Sequence, residues 1–290
     1  MQEVRKMTEY KFIVFILCYN RPNMVKTLNT LNKCNYAGEY KLILGSDDPQ
    51  LSEYIKIYGE NNIYIFNKDD YTWVDKQDTF DRMNCVVYAR NAVFDIAKDL
   101  GYEYFVVLDD DYTEIRYRFE DNGSLSSKYC KDASQLFNVM FELLESSPKI
   151  TCTALAQTGD YIGGLGSALL KGTTIRKIMN SWFCSIHKRF IFTGTINEDT
   201  TAYTTLGSRG YLFLTVQKAS INQADTQQLS GGLTDIYLDL GTYIKSYYSV
   251  MSCPSAVKIN IMGDTHYRIH HNVKWNNCVP KIISGRYKKV

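Results

Sequence analysis

The sequence predicts an α/β protein built on a mixed, mainly parallel sheet flanked by helices. Three observations carry that prediction. Short apolar runs at 11–18, 40–45, 62–66 and 104–108 alternate with helical patterns, in the order β-α-β-α-β-loop-α-β. The run before residue 109 is continuously apolar and aromatic, as in a central strand buried on both faces. That strand then ends in Asp109-Asp110-Asp111, at the place where open α/β sheets bind ligands, outside the carboxyl ends of their strands.

The elements follow in order. After the first strand comes the turn Tyr19-Asn20-Arg21-Pro22, and Pro22 suits the first position of a helix over 23–31. The second strand ends at Ser46-Asp47-Asp48-Pro49. A helix over 51–58 and the third strand follow. Residues 68–84 are polar, acid-rich and aperiodic, which predicts a loop over the cleft, with Asn84 capping the next helix. That helix repeats apolar residues at Val86, Val93, Ala97 and Leu100, and Arg90 falls on the same stripe. An inward guanidinium needs an anionic partner: a core carboxylate, the aspartates of the cleft, or a donor phosphate. The three aspartates repel one another, and a divalent cation would neutralise them. Hard oxygen ligands suit Mg²⁺ or Mn²⁺, which in turn suit a phosphorylated substrate. The plain alternative is a solvated acidic loop.

The second half predicts a strand over 113–119, a turn at Asp121-Asn122-Gly123 and a helix capped by Asp132 that runs through 144. A strand over 151–156 precedes four glycines within 159–166, a pattern of close backbone approach or of a flexible loop. A strand over 211–216 follows. Ser230-Gly231-Gly232 precedes a helix with apolar positions at Ile236, Leu240, Tyr243, Ile244 and Tyr247, and a last strand over 257–261 leads to the histidines. There is no repeat or linker. Residues 1–115 read as a donor-binding half and 116–290 as an acceptor-binding and catalytic half of one continuous domain.

Composition narrows the function. Of the 290 residues 45% are hydrophobic, ample for a core, and a net charge of +2 does not imply nucleic acid by itself. Its distribution is more telling: 265–290 holds no Asp or Glu, but six Lys or Arg, including Arg286, Lys288 and Lys289. Eight scattered cysteines without a CxxC pair suggest a reduced intracellular compartment. No run approaches the roughly 18 apolar residues of a membrane span. The expectation is a cytoplasmic protein with no membrane attachment and no evident protein partner.

The Tyr-Asn-Arg-Pro turn, Asp47-Asp48, Ala89-Arg90-Asn91 and Asp109-Asp110-Asp111, in this order, resemble a GT-A (Rossmann-like) nucleotide-sugar glycosyltransferase over residues 11–115. Glu198-Asp199, Asn222-Gln223, Thr226-Gln227, Ser230-Gly231-Gly232 and Arg268-Ile269-His270-His271 extend the resemblance to the TET-associated glycosyltransferases, found largely in phages. That resemblance implies sugar transfer from a UDP-sugar to hydroxymethylated pyrimidines in DNA. It implies that Tyr19, Asn20 and Arg21 line the base pocket and that Asp47 accepts hydrogen bonds from uracil or ribose. Arg90 and Asp110 would join the donor site. Asp109 would reach the ribose or metal, Asp111 would ligate Mn²⁺ or Mg²⁺, and His270 or His271 would complete the shell. If transfer inverts the anomeric centre, a carboxylate must deprotonate the acceptor. Asp199 is then the base and Glu198 its neighbour, with helix capping as the plain role of Asp199. The basic terminus, with Trp275 and Tyr287, would contact phosphates and stack on bases. The competing readings are a protein or glycan acceptor, a catalytically dead binding module, and, more distantly, a two-metal nuclease.

Overall fold

The computed structural model describes residues 8–77, 83–172, 178, 181–223, 237, 241, 243–263 and 267–280, leaving aside the side chain of Arg268. The expectations for Thr226, Gln227, Ser230, Gly231, Gly232, Ile236, Leu240, Arg286, Tyr287, Lys288 and Lys289 fall outside the described residues.

Four parallel strands open the chain: β1 (Phe12–Leu17), β2 (Tyr40–Gly45), β3 (Ile63–Phe66) and β4 (Tyr104–Asp109). Then come β5 (Tyr112–Asp121), β6 (Ser124–Tyr129), β7 (Ile150–Gln157), β8 (Trp182–Ser185) and β9 (Leu212–Gln223). All nine form one sheet in the order β3-β2-β1-β4-β8-β7-β9-β5-β6. Only β8 and β5 run against the rest, so the sheet is mixed but mainly of one direction.

Residue alternation explains the layers. Ile13, Phe15, Phe105 and Val107 face one side, where α3 (Val87–Asp99) and α5 (Glu198–Ser208) pack. Val14, Ile16, Val106 and Leu108 face the other, under α1 (Lys26–Lys33), α2 (Leu51–Tyr58) and α4 (Ala133–Glu145). A separate antiparallel pair, β10 (Val257–Met262) and β11 (Arg268–Val273), packs on α6 (Ile244–Ser252), and α6 packs on α5.

The sheet must curl. Two residues, Asp110 and Asp111, join β4 to β5, and the three peptide steps reach about 10 Å. Yet β8, β7 and β9 intervene in the sheet, and four flat strand spacings would span about 19 Å. The strand exits beside Asp109 therefore converge on one concavity.

Several expected boundaries shift. The helix predicted over 23–31 is a 3-10 turn at Pro22–Met24, then a break at Val25, then α1. The break lets the first turn of α1 dock on the acidic loop. Asn84 does not cap α3, whose N-cap is Val86 with no side-chain cap; buried Cys85 and Val87 fix that entry by packing. Asp132 does cap α4, accepting from Gln135 N at 2.8 Å. The strand predicted at 211–216 is twice as long, because β7 and β5 pair it on both sides. β8, only four residues long, was too short to show a period. The histidines lie within a further strand, β11, instead of after the last one.

Candidate active site

The acidic loop is held by α1. Thr27 Oγ1 donates to the Asp109 carbonyl (2.5 Å) and accepts from Tyr112 N (3.0 Å), while Thr27 N donates to the Asp110 carbonyl (3.1 Å). One turn on, Thr30 Oγ1 donates to the Tyr112 carbonyl at 2.9 Å. Two threonines three residues apart thus fix the backbone of the whole turn. The sequence reading missed both; their spacing on one helical face was the available signal.

The three carboxylates then part. Asp110 is 1% exposed and accepts from Arg21 Nη2 at 2.6 Å. Burial still raises its carboxyl to about 7, against the pull of Arg21. Asp111 is buried and accepts from Gln223 Nε2 at 3.2 Å; burial, then Asp109, raise it to about 6. Asp109, at the strand end, meets Arg90 Nη2 at 3.4 Å. Asp110 Oδ2, Asp111 Oδ1, Arg21 Nε and Arg90 Nη1 are buried without a hydrogen-bond partner among the described residues. Orphaned acceptors on the acidic turn, and orphaned donors on the two arginines that pair with it, suit a cation and an anion bound together.

Arg90 joins the two halves of the chain. It is 4% exposed, and its Nε donates to Glu198 Oε1 at 2.9 Å. Trp182 and Phe192 lie against its guanidinium, 5.5 and 5.8 Å from the ring centroids. The neighbouring carboxylates, Asp109 first, hold it charged against its burial. Of the partners the sequence left open, Arg90 takes both a core carboxylate and a cleft aspartate. Asn91, the next residue, clamps the segment leading to Glu198: its Nδ2 donates to the Phe192 carbonyl (2.9 Å) and its Oδ1 accepts from Phe192 N (3.0 Å). From the other side Asp75 N donates to the Thr193 carbonyl, and Gln77 Oε1 accepts from Ile196 N at 2.7 Å. Glu198 therefore enters α5 from a segment fixed on two sides. It is buried, which raises its carboxyl to about 7 against Arg90. Asp199 is half-buried, and one of its oxygens accepts from Thr200 N at 2.6 Å.

A second pocket wall lies beyond β1 and β2. Tyr19 leads into Asn20, whose φ of 55° is left-handed and whose N donates to Asp48 Oδ2 at 2.9 Å. Asp48 also accepts from Gln50 N, so the buried turn residue before Pro49 is Asp48. Asp47 instead is exposed and pairs with the buried Lys68, Nζ to Oδ1 2.8 Å. The same ammonium lies 5.0 Å above the Tyr19 ring. Gly45 makes the room: a Cβ there would sit 2.6 Å from Lys68 Cε and 2.5 Å from Asp47 Oδ1. Lys68, placed in an aperiodic loop, carried no signal in the sequence.

His270 and His271 lie outside this sheet, on β11, with rings stacked at 4.5 Å. Their hairpin reaches the site through helices: Ser246 Oγ of α6 donates to the Ile269 carbonyl, and Asn197, before α5, bonds Ser249 of α6. Among the described residues no three His, Cys, Asp or Glu side chains are grouped as a metal shell.

The family model described as TET-Associated Glycosyltransferase matches residues 12–232. Solved structures with a similar fold include glucosyl-3-phosphoglycerate synthase from Mycobacterium tuberculosis in complex with Mg²⁺ and UDP. It is 10% identical, with a TM-score of 0.48 over 91% of this chain and 88% of that one. The same enzyme in complex with Mn²⁺ and UDP-glucose is 8% identical, with a TM-score of 0.47 over 90% of this chain and 86% of that one. No curated protein matches the chain.

Proposed function

The chain belongs to the TET-associated glycosyltransferase family, and from that premise we propose that it moves a sugar from a UDP-sugar to the hydroxymethyl group of a modified pyrimidine in DNA. The observation that carries the reading is the set of orphaned atoms on the acidic turn and on the two arginines paired with it: Asp110 Oδ2, Asp111 Oδ1, Arg21 Nε and Arg90 Nη1. A diphosphate bound with a divalent cation answers both halves of that set.

Tyr19 and Asn20 offer a ring and a fixed turn to the uracil, and Asp47, steadied by Lys68, accepts from base or ribose. Mn²⁺ or Mg²⁺, held by Asp109 and Asp111 with His270 or His271 from the second sheet, would supply Lewis-acid stabilisation of the diphosphate as it leaves. The chemistry of these residues suits such an ion, with hard oxygens on one turn and Asp111 Oδ1 orphaned, although among the described residues no three are grouped as a shell. Arg21 and Arg90 add fixed positive charge where the departing diphosphate develops negative charge.

Asp199 is the acceptor base in this reading. Its neighbour Glu198 is committed to Arg90, and adjacent side chains at a helix start diverge. Asp199 sits in the first turn of α5, beside the donor cleft through the Glu198–Arg90–Asp109 chain. It takes the hydroxymethyl proton as the oxygen attacks the anomeric carbon.

The test is incubation with a panel of UDP-sugars, Mn²⁺ and DNA containing hydroxymethyl-uracil or hydroxymethyl-cytosine, read by nucleoside mass spectrometry. A hexose or N-acetylhexosamine mass gained by one modified base is the expected result. If no base gains mass while a protein or glycan acceptor does, the DNA assignment falls.

A further inference from the structure

The chain leaves β7 at the same edge as the aspartates. Val106 of β4 pairs with Phe183 of β8, and Phe183 with Thr153 of β7. Asp109 lies three residues beyond Val106, and Thr158 five beyond Thr153, on strands of one direction. With one strand between them, the two exits are about 10 Å apart. Side chains bridge the gap: Gln223 donates to Asp111, and Thr158 donates to its neighbour Asn222.

The segment after Thr158 is a stiff frame around one exposed residue. Gln157 and Asp160 cap each other's backbone amides. Tyr161 is buried, and its hydroxyl donates to the Gln217 carbonyl at 3.0 Å. Beyond it Gly163 and Gly164 take φ of 93° and 59°, a path that a side chain would strain. Ile162, between the anchored tyrosine and the glycines, is 79% exposed. A lone exposed apolar residue is ordinary. This one is presented by a fixed turn, five residues beyond the end of β7 at Gln157. Beside it the Arg118 guanidinium lies 4.9 Å over the Tyr161 ring. Arg118 commits its Nε to Ser220 Oγ at 2.9 Å, and its two terminal nitrogens carry no hydrogen bond among the described residues. Asp160 is turned to Gln157 N, and Glu114 is engaged by Arg116 at 2.6 Å.

From this arrangement, which rests on the DNA reading above, we infer that Ile162 is a wedge for duplex DNA: it enters the base stack beside the acceptor pyrimidine and turns that base toward Asp111, while Arg118 holds a flanking phosphate. Apolar side chains unstack base steps in this way, and an enzyme that works on a base takes it out of the stack. A cation stacked on a ring suits a phosphate contact that positions the strand without reading its sequence. A single strand needs no wedge, so the dependence on Ile162 belongs to the duplex.

The experiment uses the full chain with UDP and Mn²⁺, and DNA of one sequence as duplex and as single strand, each with 2-aminopurine next to hydroxymethyl-uracil. For turnover, UDP-glucose, UDP-galactose and UDP-N-acetylglucosamine are supplied together. Ile162→Ser should lower the duplex-to-single-strand turnover ratio by about tenfold or more and remove the rise in 2-aminopurine fluorescence on duplex binding. Ile162→Leu should restore both. Arg118→Gln should reduce the log–log salt slope of DNA binding by about 0.9. An unchanged ratio and fluorescence rise in Ile162→Ser, with the parent active on DNA, overturns the wedge and leaves the acceptor assignment standing. A parent that glycosylates neither DNA overturns both.

Discussion

At the scale of single residues, the three consecutive aspartates differ in environment far more than in sequence. Asp110 is locked to Arg21 and Asp109 shares Arg90, while Asp111 accepts only from the neutral Gln223 amide and keeps one buried oxygen without a hydrogen-bond partner among the described residues. Asp111→Asn should therefore abolish the metal-dependent part of UDP binding while leaving the fold intact, because Gln223 can still donate to the amide oxygen. Calorimetry with UDP, with and without Mn²⁺, checks this; metal-dependent binding retained in the variant would remove Asp111 from the shell. Asp199→Asn should keep UDP binding and lower turnover by roughly 10²–10⁴-fold, the range for loss of a general base. Its amide oxygen can still accept from Thr200 N, so the start of α5 survives the change. Near-normal turnover would place the base elsewhere.

At the scale of elements, the donor pocket depends on how strand ends are shaped. β2 ends in Gly45 because Lys68, arriving from beyond β3, must lie where a Cβ would be. Gly45→Ala should displace the Lys68–Asp47 pair without unfolding the sheet, since the clash falls on side-chain ends that can move. UDP affinity should drop by about tenfold, equivalent to about 1.4 kcal/mol. Lys68→Met should cause a similar loss by removing the charge that steadies Asp47 and Tyr19. Calorimetry beside a thermal melt separates the two effects: a large fall in Tm with Gly45→Ala would mean the backbone, not the pair, takes the strain.

At the scale of the whole molecule, Arg90 and Glu198 bind α3 to α5 across 108 residues of sequence, so the site and the core share one buried ion pair. Burial raises the Glu198 carboxyl from its ordinary 4.5 to about 7, with Arg90 opposing. The folded state then holds this proton more tightly than the unfolded chain. The resulting stability is fully present below about pH 4.5 and is lost as pH rises through about 7. Glu198→Gln has no such proton to lose. The Tm of the parent minus that of the variant should therefore fall as pH increases from 4.5 to 7.5. A difference that grows with pH would show that Arg90 dominates and holds the carboxyl below its ordinary value.

The sequence by itself determined that β1 to β4 run parallel, the inward face of Arg90 and the acidic strand exit. Each is a local pattern: continuous apolar runs, a 3.6-residue stripe, and charge at the end of an apolar strand. Only the tertiary structure decided what these groups meet. Thr27 and Thr30 reach the acidic turn from α1, Lys68 finds Asp47 through the space left by Gly45, and Gln223 meets Asp111 because β9 pairs with β5 and sets Gln223 opposite Tyr112. β8 and β11 were also illegible, one too short to show a period and the other carrying a polar, histidine-rich sequence that pairing alone makes a strand. The physical reason is common to all of these. Contacts between residues tens of positions apart depend on strand order and curvature, and neither leaves a period in the chain.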